Sequence, residues 1–231
     1  MITLAMDCAT DTVGLAMLAG DEPLAEIHLG PGRHHAEVLL PALDDLLKLT
    51  GKNLGEIDLL ACTSGPGSFT GVRMGVTTAK GLALALAKPI VGVSTLEALA
   101  MNAMPCAELV CPLLDARRDQ VYAGLYQMGQ DGFPVGLSPD CLTDLARWID
   151  ELPEGEIEFI GDGAVRYRDR IMACRGGRFA PSGSRRHRIH GWAVGVLGIR
   201  HYSRGHSEDA LTFLPKYLRL SEAETRAVSE A

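Results

Sequence analysis

One stretch constrains the fold of this chain more than any other. Ile57–Cys62, an apolar run of strand length, feeds the glycine-rich segment SGPGSFTGVRMG (64–75), which opens a helical pattern over Phe69–Ala87. A strand, a glycine loop and a helix in that order make an α/β unit, and the loop has the form of an anion site. Helix N-termini carry unpaired N–H groups and a positive dipole end. Gly65 and Gly67 permit close backbone approach, Ser68 and Thr70 are candidate caps, and Arg73 lies in the first helical turn. The spacing nevertheless fits neither regular phosphate pattern. A P-loop needs a Gly-Lys-Ser/Thr end, where this chain has Thr70-Gly71-Val72, and glycines at 65, 67 and 71 do not spell GxGxxG. The segment therefore reads in two ways: a nucleotide site, or a structural turn that starts a capped helix.

The helix that follows is bare along one side. Gly71, Gly75, Ala79, Ala83 and Ala87 recur every four residues, a stripe that lets another element approach closely. The stripe serves either the chain's own core or a subunit interface.

The surrounding pattern is β-β-β-α-β-α. Ile2–Asp7, Thr12–Leu18 and Pro23–His28 read as strands, and 35–49 has the apolar spacing of one helix face, with Pro41 predicting a kink. After Pro89 come a strand (90–93), a helix (95–103) and strands at 109–115 and 121–127. A weaker set follows: a helix at 142–149, a strand at 157–160, a Gly/Arg-rich loop at 175–191, a helix at 192–202 and a last ordered piece at 214–220. This order predicts two ribonuclease H-like lobes of mixed sheets flanked by helices. The first spans 1–103 with 207–222 returning to it, the second spans 104–206, and 223–231 is a tail.

Composition narrows the setting. With 47% hydrophobic residues in 231, the chain can bury real cores, and it has no apolar stretch long enough for a membrane helix. The start MITLAMDCAT lacks a basic region and a cleavage site, so a cytoplasmic location is expected. The six cysteines are scattered without a CxxC pair and read as reduced core thiols. A net charge of −7 opposes stand-alone nucleic-acid binding, yet residues 164–206 hold ten Arg against one acid, Asp169. That segment is either a solvated basic face or a patch for RNA or an acidic partner.

Few other residues suggest chemistry. Asp7 ends the first strand with Thr10 and Thr12 in the turn beyond it. The group suits either a metal-bound phosphate or an Asx-type turn. His34 and His35 precede a helix with no third ligand at metal spacing, and Asp115 and Asp119 read as solvated strand ends.

At this point the residues resemble a known family. AMDCATDTVGLAML, SGPGSFTGVRMGVTTAKGLALALAKPIVGVSTLEALA, LLDARRDQVYAGLY and FLPKYLRL are similar to the TsaB (YeaZ) family, with the likeness strongest over 1–126. That resemblance implies an actin-like (ASKHA) two-lobed fold. It implies a role in making N6-threonylcarbamoyladenosine beside the anticodon of tRNAs that read codons beginning with adenine. In the paralogue TsaD, the transferase, a His-x3-His pair holds a metal, and the alignment places Thr95 and Leu99 there. The resemblance thus implies a non-enzymatic partner with no metal or cofactor of its own, working with TsaD and the ATPase TsaE and meeting tRNA only through the complex. It further implies an interface, shared by TsaD and a homodimer, on the helices at 35–49 and 69–87, with Leu39, Leu43, Gly71, Met74, Gly75, Thr78, Ala79 and Leu82 as candidates. Asp7, Thr10, Gly65, Gly67 and Arg73 are then vestiges of a phosphate site. The alternatives left open are a nucleotide-binding hydrolase of the same superfamily and a glycoprotease-like metallopeptidase.

Overall fold

The computed structural model describes residues 1–32, 35–104 and 106–219. His34, the end of the 214–220 piece and the tail at 223–231 lie outside them. Strands β1 (Ile2–Asp7), β2 (Val13–Ala19) and β3 (Glu22–Leu29) form an antiparallel meander. Helix α1 (His35–Thr50), β4 (Leu59–Gly65), α2 (Phe69–Leu86), β5 (Ile90–Ser94) and α3 (Thr95–Ala100) follow. The first sheet has the order β3-β2-β1-β4-β5, with β1, β4 and β5 parallel. β1 and β4 are buried on both faces, which is why they read as continuous apolar runs rather than alternating ones.

The second sheet repeats the plan. Strands β6 (Leu109–Asp115), β7 (Gln120–Ala123), β8 (Tyr126–Met128), β9 (Pro134–Gly136) and β10 (Cys141–Asp144) precede α4 (Leu145–Glu151) and β11 (Ile157–Ile160). Helices α5 (Asp162–Arg166) and α6 (Arg168–Cys174), strand β12 (Arg178–Phe179) and α7 (Gly191–Ser203) complete the set. The path β10-β7-β6-β11-β12 has the first sheet's order and senses: two antiparallel pairings on one side of β6 and two parallel ones on the other. Each lobe is ribonuclease H-like, and the two together make the actin-like α/β fold.

Several expected elements differ. Leu142 and Thr143 do not start a helix; they pair with Tyr122 and Val121, and Asp144 then caps α4 by accepting from the Ala146 N–H at 2.9 Å. The expected strand 121–127 divides at Gly124 because its two halves take different outer neighbours, β10 and β9. Helix α3 stops at Ala100, short of 103. Between 162 and 174 two short helices stand on the narrow apolar edge of Ala164, Tyr167 and Ile171. The 175–191 loop holds β12 and a single 3-10 turn at Arg185–His187.

Helix α7, expected in the second lobe, lies on the first sheet. Its buried residues share a core with Ala5, Ala16, Leu18 and Ala61, and a side chain at Gly198 would run into Ala61. That same core takes in Val110, Leu114, Tyr126 and Ile160 of the second lobe, so the lobes meet over continuous apolar packing. A second core lies under α1 and α2, and a third under α4 and α6.

Candidate functional site

A cleft of about 690 Å³ runs between the lobes. Thr10, Asp11, Gly67, Ser68, Phe69 and Thr70 line one wall, and Asp115, Arg117, Tyr122 and Asp162 the other. Lys216, Tyr217, Leu218 and Arg219 lie across its mouth.

The glycine loop reaches this cleft, but its glycines are engaged elsewhere. A side chain at Gly67 would overlap the carbonyl of Ala9, and one at Gly71 the carbonyl of Cys8, so the loop is pressed against the β1–β2 turn. The Ser68 N–H donates to the Ala9 carbonyl at 2.7 Å, and the Ser68 hydroxyl caps α2 by accepting from Gly71 at 3.3 Å. Gly65, at φ +118°, lies against the Lys216 carbonyl, and the Lys216 N–H donates to Ser64 at 2.7 Å. The chain's own backbone thus takes the close approach that a phosphate would need. Arg73 does not line the cleft but is spent on two residues that do: its Nε donates to the Tyr217 hydroxyl at 2.8 Å, and the guanidinium stacks 3.7 Å from the Phe69 ring centre.

Asp7 is fully buried. Its Oδ1 accepts from the Ala9 N–H at 3.0 Å and the Thr63 hydroxyl at 2.7 Å, an Asx-type turn, while Oδ2 has no partner among the described residues. Burial outweighs the two hydrogen bonds and raises this carboxyl to about 6. Thr10 reaches the cleft and shares a 3.0 Å hydrogen bond with Thr12. Asp115, expected as a solvated strand end, instead lines the cleft, accepting from Arg117 N–H at 3.0 Å and Tyr167 OH at 2.9 Å. Asp162 faces the cleft and accepts from the N–H groups of Asp115 and Gly163; its enclosure, with the charges of Asp115 and Asp11, raises it to about 6. The repeat of a strand ending in Asp, at Asp7 and Asp115, was the signal in the sequence for the second wall.

The bare stripe of α2 faces inward. Gly71, Gly75, Ala79 and Ala83 are buried, and a side chain at Gly75 would meet the Cys8 and Cys62 side chains at 3.3 and 3.6 Å. Leu39 and Leu43 are buried in the same core. Of the eight interface candidates only Met74, Thr78 and Leu82 reach the surface, on a flank that continues through exposed Thr77 and Gly81. Large apolar groups left open on these helices include Leu84 (51% exposed) and Phe69 on α2 and Leu40 (59% exposed) and Leu49 (70% exposed) on α1. Thr95 and Leu99 are fully buried in the inter-lobe core.

The arginines of 164–206 are largely consumed by partners from other parts of the chain. Arg166, Arg170, Arg178, Arg186 and Arg200 pair with Asp115, Asp119, Glu156, Glu158 and Asp131. Arg175 donates to the carbonyls of Pro153 and Gly155, and Arg168 lies over Phe179. Half of the ten arginines in this segment are neutralised by acids in space. The cysteines divide: Cys8, Cys62 and Cys111 are buried, whereas Cys106 and Cys174 are exposed rather than core thiols. Burial pushes the Cys8 and Cys62 thiols far up and Cys111 to about 12. No described helix is long and apolar enough to cross a membrane.

Fold and cleft define a class, the two-lobed actin-like proteins. A ROK hexokinase from Thermus thermophilus shares that fold at TM-score 0.51 and 12% identity, covering 89% of this chain and 100% of its own. Within the class, the family model described as TsaD, tRNA N6-adenosine threonylcarbamoyltransferase, matches residues 30–165. The tRNA threonylcarbamoyladenosine biosynthesis protein TsaB of Bacillus subtilis strain 168 is 34% identical over 228 residues, 98% of this chain and 97% of its own. The structure of YeaZ from Pseudomonas aeruginosa superposes at TM-score 0.83 with 32% identity, covering 94% of this chain and 99% of its own. The chain belongs to the TsaB (YeaZ) family.

Proposed function

We propose that this protein serves tRNA threonylcarbamoyladenosine biosynthesis as a non-catalytic partner of TsaD, acting in the cytoplasm with the ATPase TsaE and meeting tRNA through the complex. The observation that carries this reading is end-to-end similarity to TsaB combined with a glycine loop whose close approaches are spent on its own backbone. The positions aligned with the paralogue's histidine pair, Thr95 and Leu99, are sealed in the inter-lobe core, away from any entering substrate. The chain is proposed to need no cofactor of its own.

The partner surface is the outer flank of α2, Met74, Thr78 and Leu82, with Leu40 of α1 beside it. Gly81 supports this choice: it stands exposed in mid-helix with nothing within 4 Å of where its side chain would be. A glycine there costs about 1 kcal/mol relative to alanine, and packing among the described residues does not account for it. The same flank serves a homodimer when the protein is alone.

A second reading rests on the cleft, whose volume of about 690 Å³ suits a mononucleotide, with Thr10 and Asp115 on facing walls. Threonylcarbamoyl transfer reconstituted with TsaD, TsaE and tRNA, with this chain present or omitted, separates the two. Dependence on the chain that persists in Asp7→Ala supports the partner reading. Tight ATP binding by the chain alone, lost in Asp7→Ala, supports the other.

A further inference from the structure

The lobes are joined by two chain crossings, residues 101–108 leaving the first sheet and 180–190 returning to α7. Any opening or closing of the cleft must rotate backbone dihedrals in both. The two crossings are tied to each other side by side. The Asn102 side-chain amide donates to the Arg188 carbonyl at 2.6 Å and the Arg186 carbonyl at 3.3 Å. In return Arg186 Nε donates to the Asn102 carbonyl at 2.8 Å. The same guanidinium pairs through Nη2 with Glu158, a carboxylate with no exposed surface on strand β11, between β6 and β12. The other oxygen of Glu158 accepts from the Met104 N–H at 2.7 Å. Both crossings are thereby anchored to one buried charge, and a buried charge deprived of its partner is strongly destabilising. His187 adds a further anchor: its Nδ1 accepts from Gly161 at 3.1 Å, which leaves Nε2–H to donate to Ala180 at 3.2 Å.

Other ties close the remaining sides. Ser94, at the first-lobe end of β5, pairs with Asp140 of the second lobe, whose other oxygen accepts from Tyr126 OH at 2.6 Å. Arg200 of α7 pairs with Asp131 at 2.7 Å and lies 4.1 Å from the Phe133 ring centre. Across the cleft mouth, the segment held to Ser64 by Lys216 reaches Gln120 through Arg219 at 2.6 Å. Beneath these ties lies the shared apolar core, and an extensive apolar contact between domains opposes relative motion.

We propose that the two lobes are locked into one rigid body, with the Asn102–Arg186–Glu158 fastener holding both crossings and fixing the opening of the cleft. The protein then presents an invariant surface to its partners and does not cycle as a clamp.

Hydrogen exchange on the full chain, followed by mass spectrometry, tests this. In the wild type, amides of 102–104 and 186–190 exchange as slowly as those of β1. Asn102→Ala accelerates both crossings together, at least tenfold, while β1 and β11 keep their protection, so the effect is not global unfolding. Arg186→Lys keeps the charge but cannot span Asn102 and Glu158 at once, and does the same. For a second readout, Cys106, Cys141 and Cys174 are replaced by Ser, and spin labels are set at Asp44→Cys and Asp150→Cys, one exposed helix position in each lobe. One narrow distance, unmoved by 5 mM Mg-ATP and broadened by Asn102→Ala, is the expected result. Rapid exchange at either crossing in the wild type overturns the proposal, as does acceleration of only one crossing in Asn102→Ala or a label distance that is broad or shifts with Mg-ATP.

Discussion

Replacing Asp7 with Asn is expected to make the protein more stable at neutral pH and less sensitive to pH. Asp7 is completely buried, and its carboxyl is held at about 6 against an ordinary 3.8. Because the folded state binds this proton more tightly than the unfolded chain does, the contribution favours folding below pH 3.8. It is lost as pH rises through about 6. The gap between the two values corresponds to about 3 kcal/mol of destabilisation at pH 8 relative to pH 3. Asn keeps an oxygen for the Ala9 N–H and the Thr63 hydroxyl but carries no charge. Its amide nitrogen replaces an oxygen that already lacks a partner, and that cost does not vary with pH. Urea denaturation from pH 4 to 8 should therefore show the Asn variant gaining on the wild type by about 2.4 kcal/mol across the range, most of it between pH 4 and 6.5. Parallel pH profiles for the two proteins would refute the assignment of that penalty to Asp7.

The outward and inward sides of α2 should respond differently. Thr78→Arg abolishes co-purification with TsaD while leaving the unfolding free energy within about 0.5 kcal/mol of wild type, and Leu82→Arg does the same at a cost of about 1 kcal/mol, because Leu82 also packs partly on the core. Ala79→Arg, aimed into the core, unfolds the chain or costs several kcal/mol, read by circular dichroism. Thiol labelling of the native protein at pH 7.5 should modify Cys106 and Cys174 within minutes, Cys141 more slowly, and Cys8, Cys62 and Cys111 only on unfolding, as mass spectrometry of the labelled peptides will report.

The first lobe was legible because its signals are local. The apolar spacing of α1, the continuous runs of β1 and β4 and the Ser68 cap each fall within one element, and all appear at their expected places. The stripe of small residues on α2 was equally visible, but periodicity reports only that a face is bare. Which way it points depends on the sheet beneath, and Cys8 and Cys62 lie there. The second lobe was harder to read because its elements are short and its pairing is distant: Leu142 is a strand residue only because Tyr122 is its neighbour. The arginine segment shows the same limit of sequence, since Glu158 and Asp131 neutralise Arg186 and Arg200 through space. Asp115 and Asp162 lie more than a hundred residues beyond Thr10 along the chain, so only the fold could place them opposite it.

The proposed partner role stands on one dependence. With purified TsaD, TsaE, threonylcarbamoyl-adenylate and an adenine-decoding tRNA, formation of threonylcarbamoyladenosine should require this chain, persist with Asp7→Ala, and be lost with Leu82→Arg. Full activity without the chain, or a loss caused by Asp7→Ala in a folded variant, would contradict it.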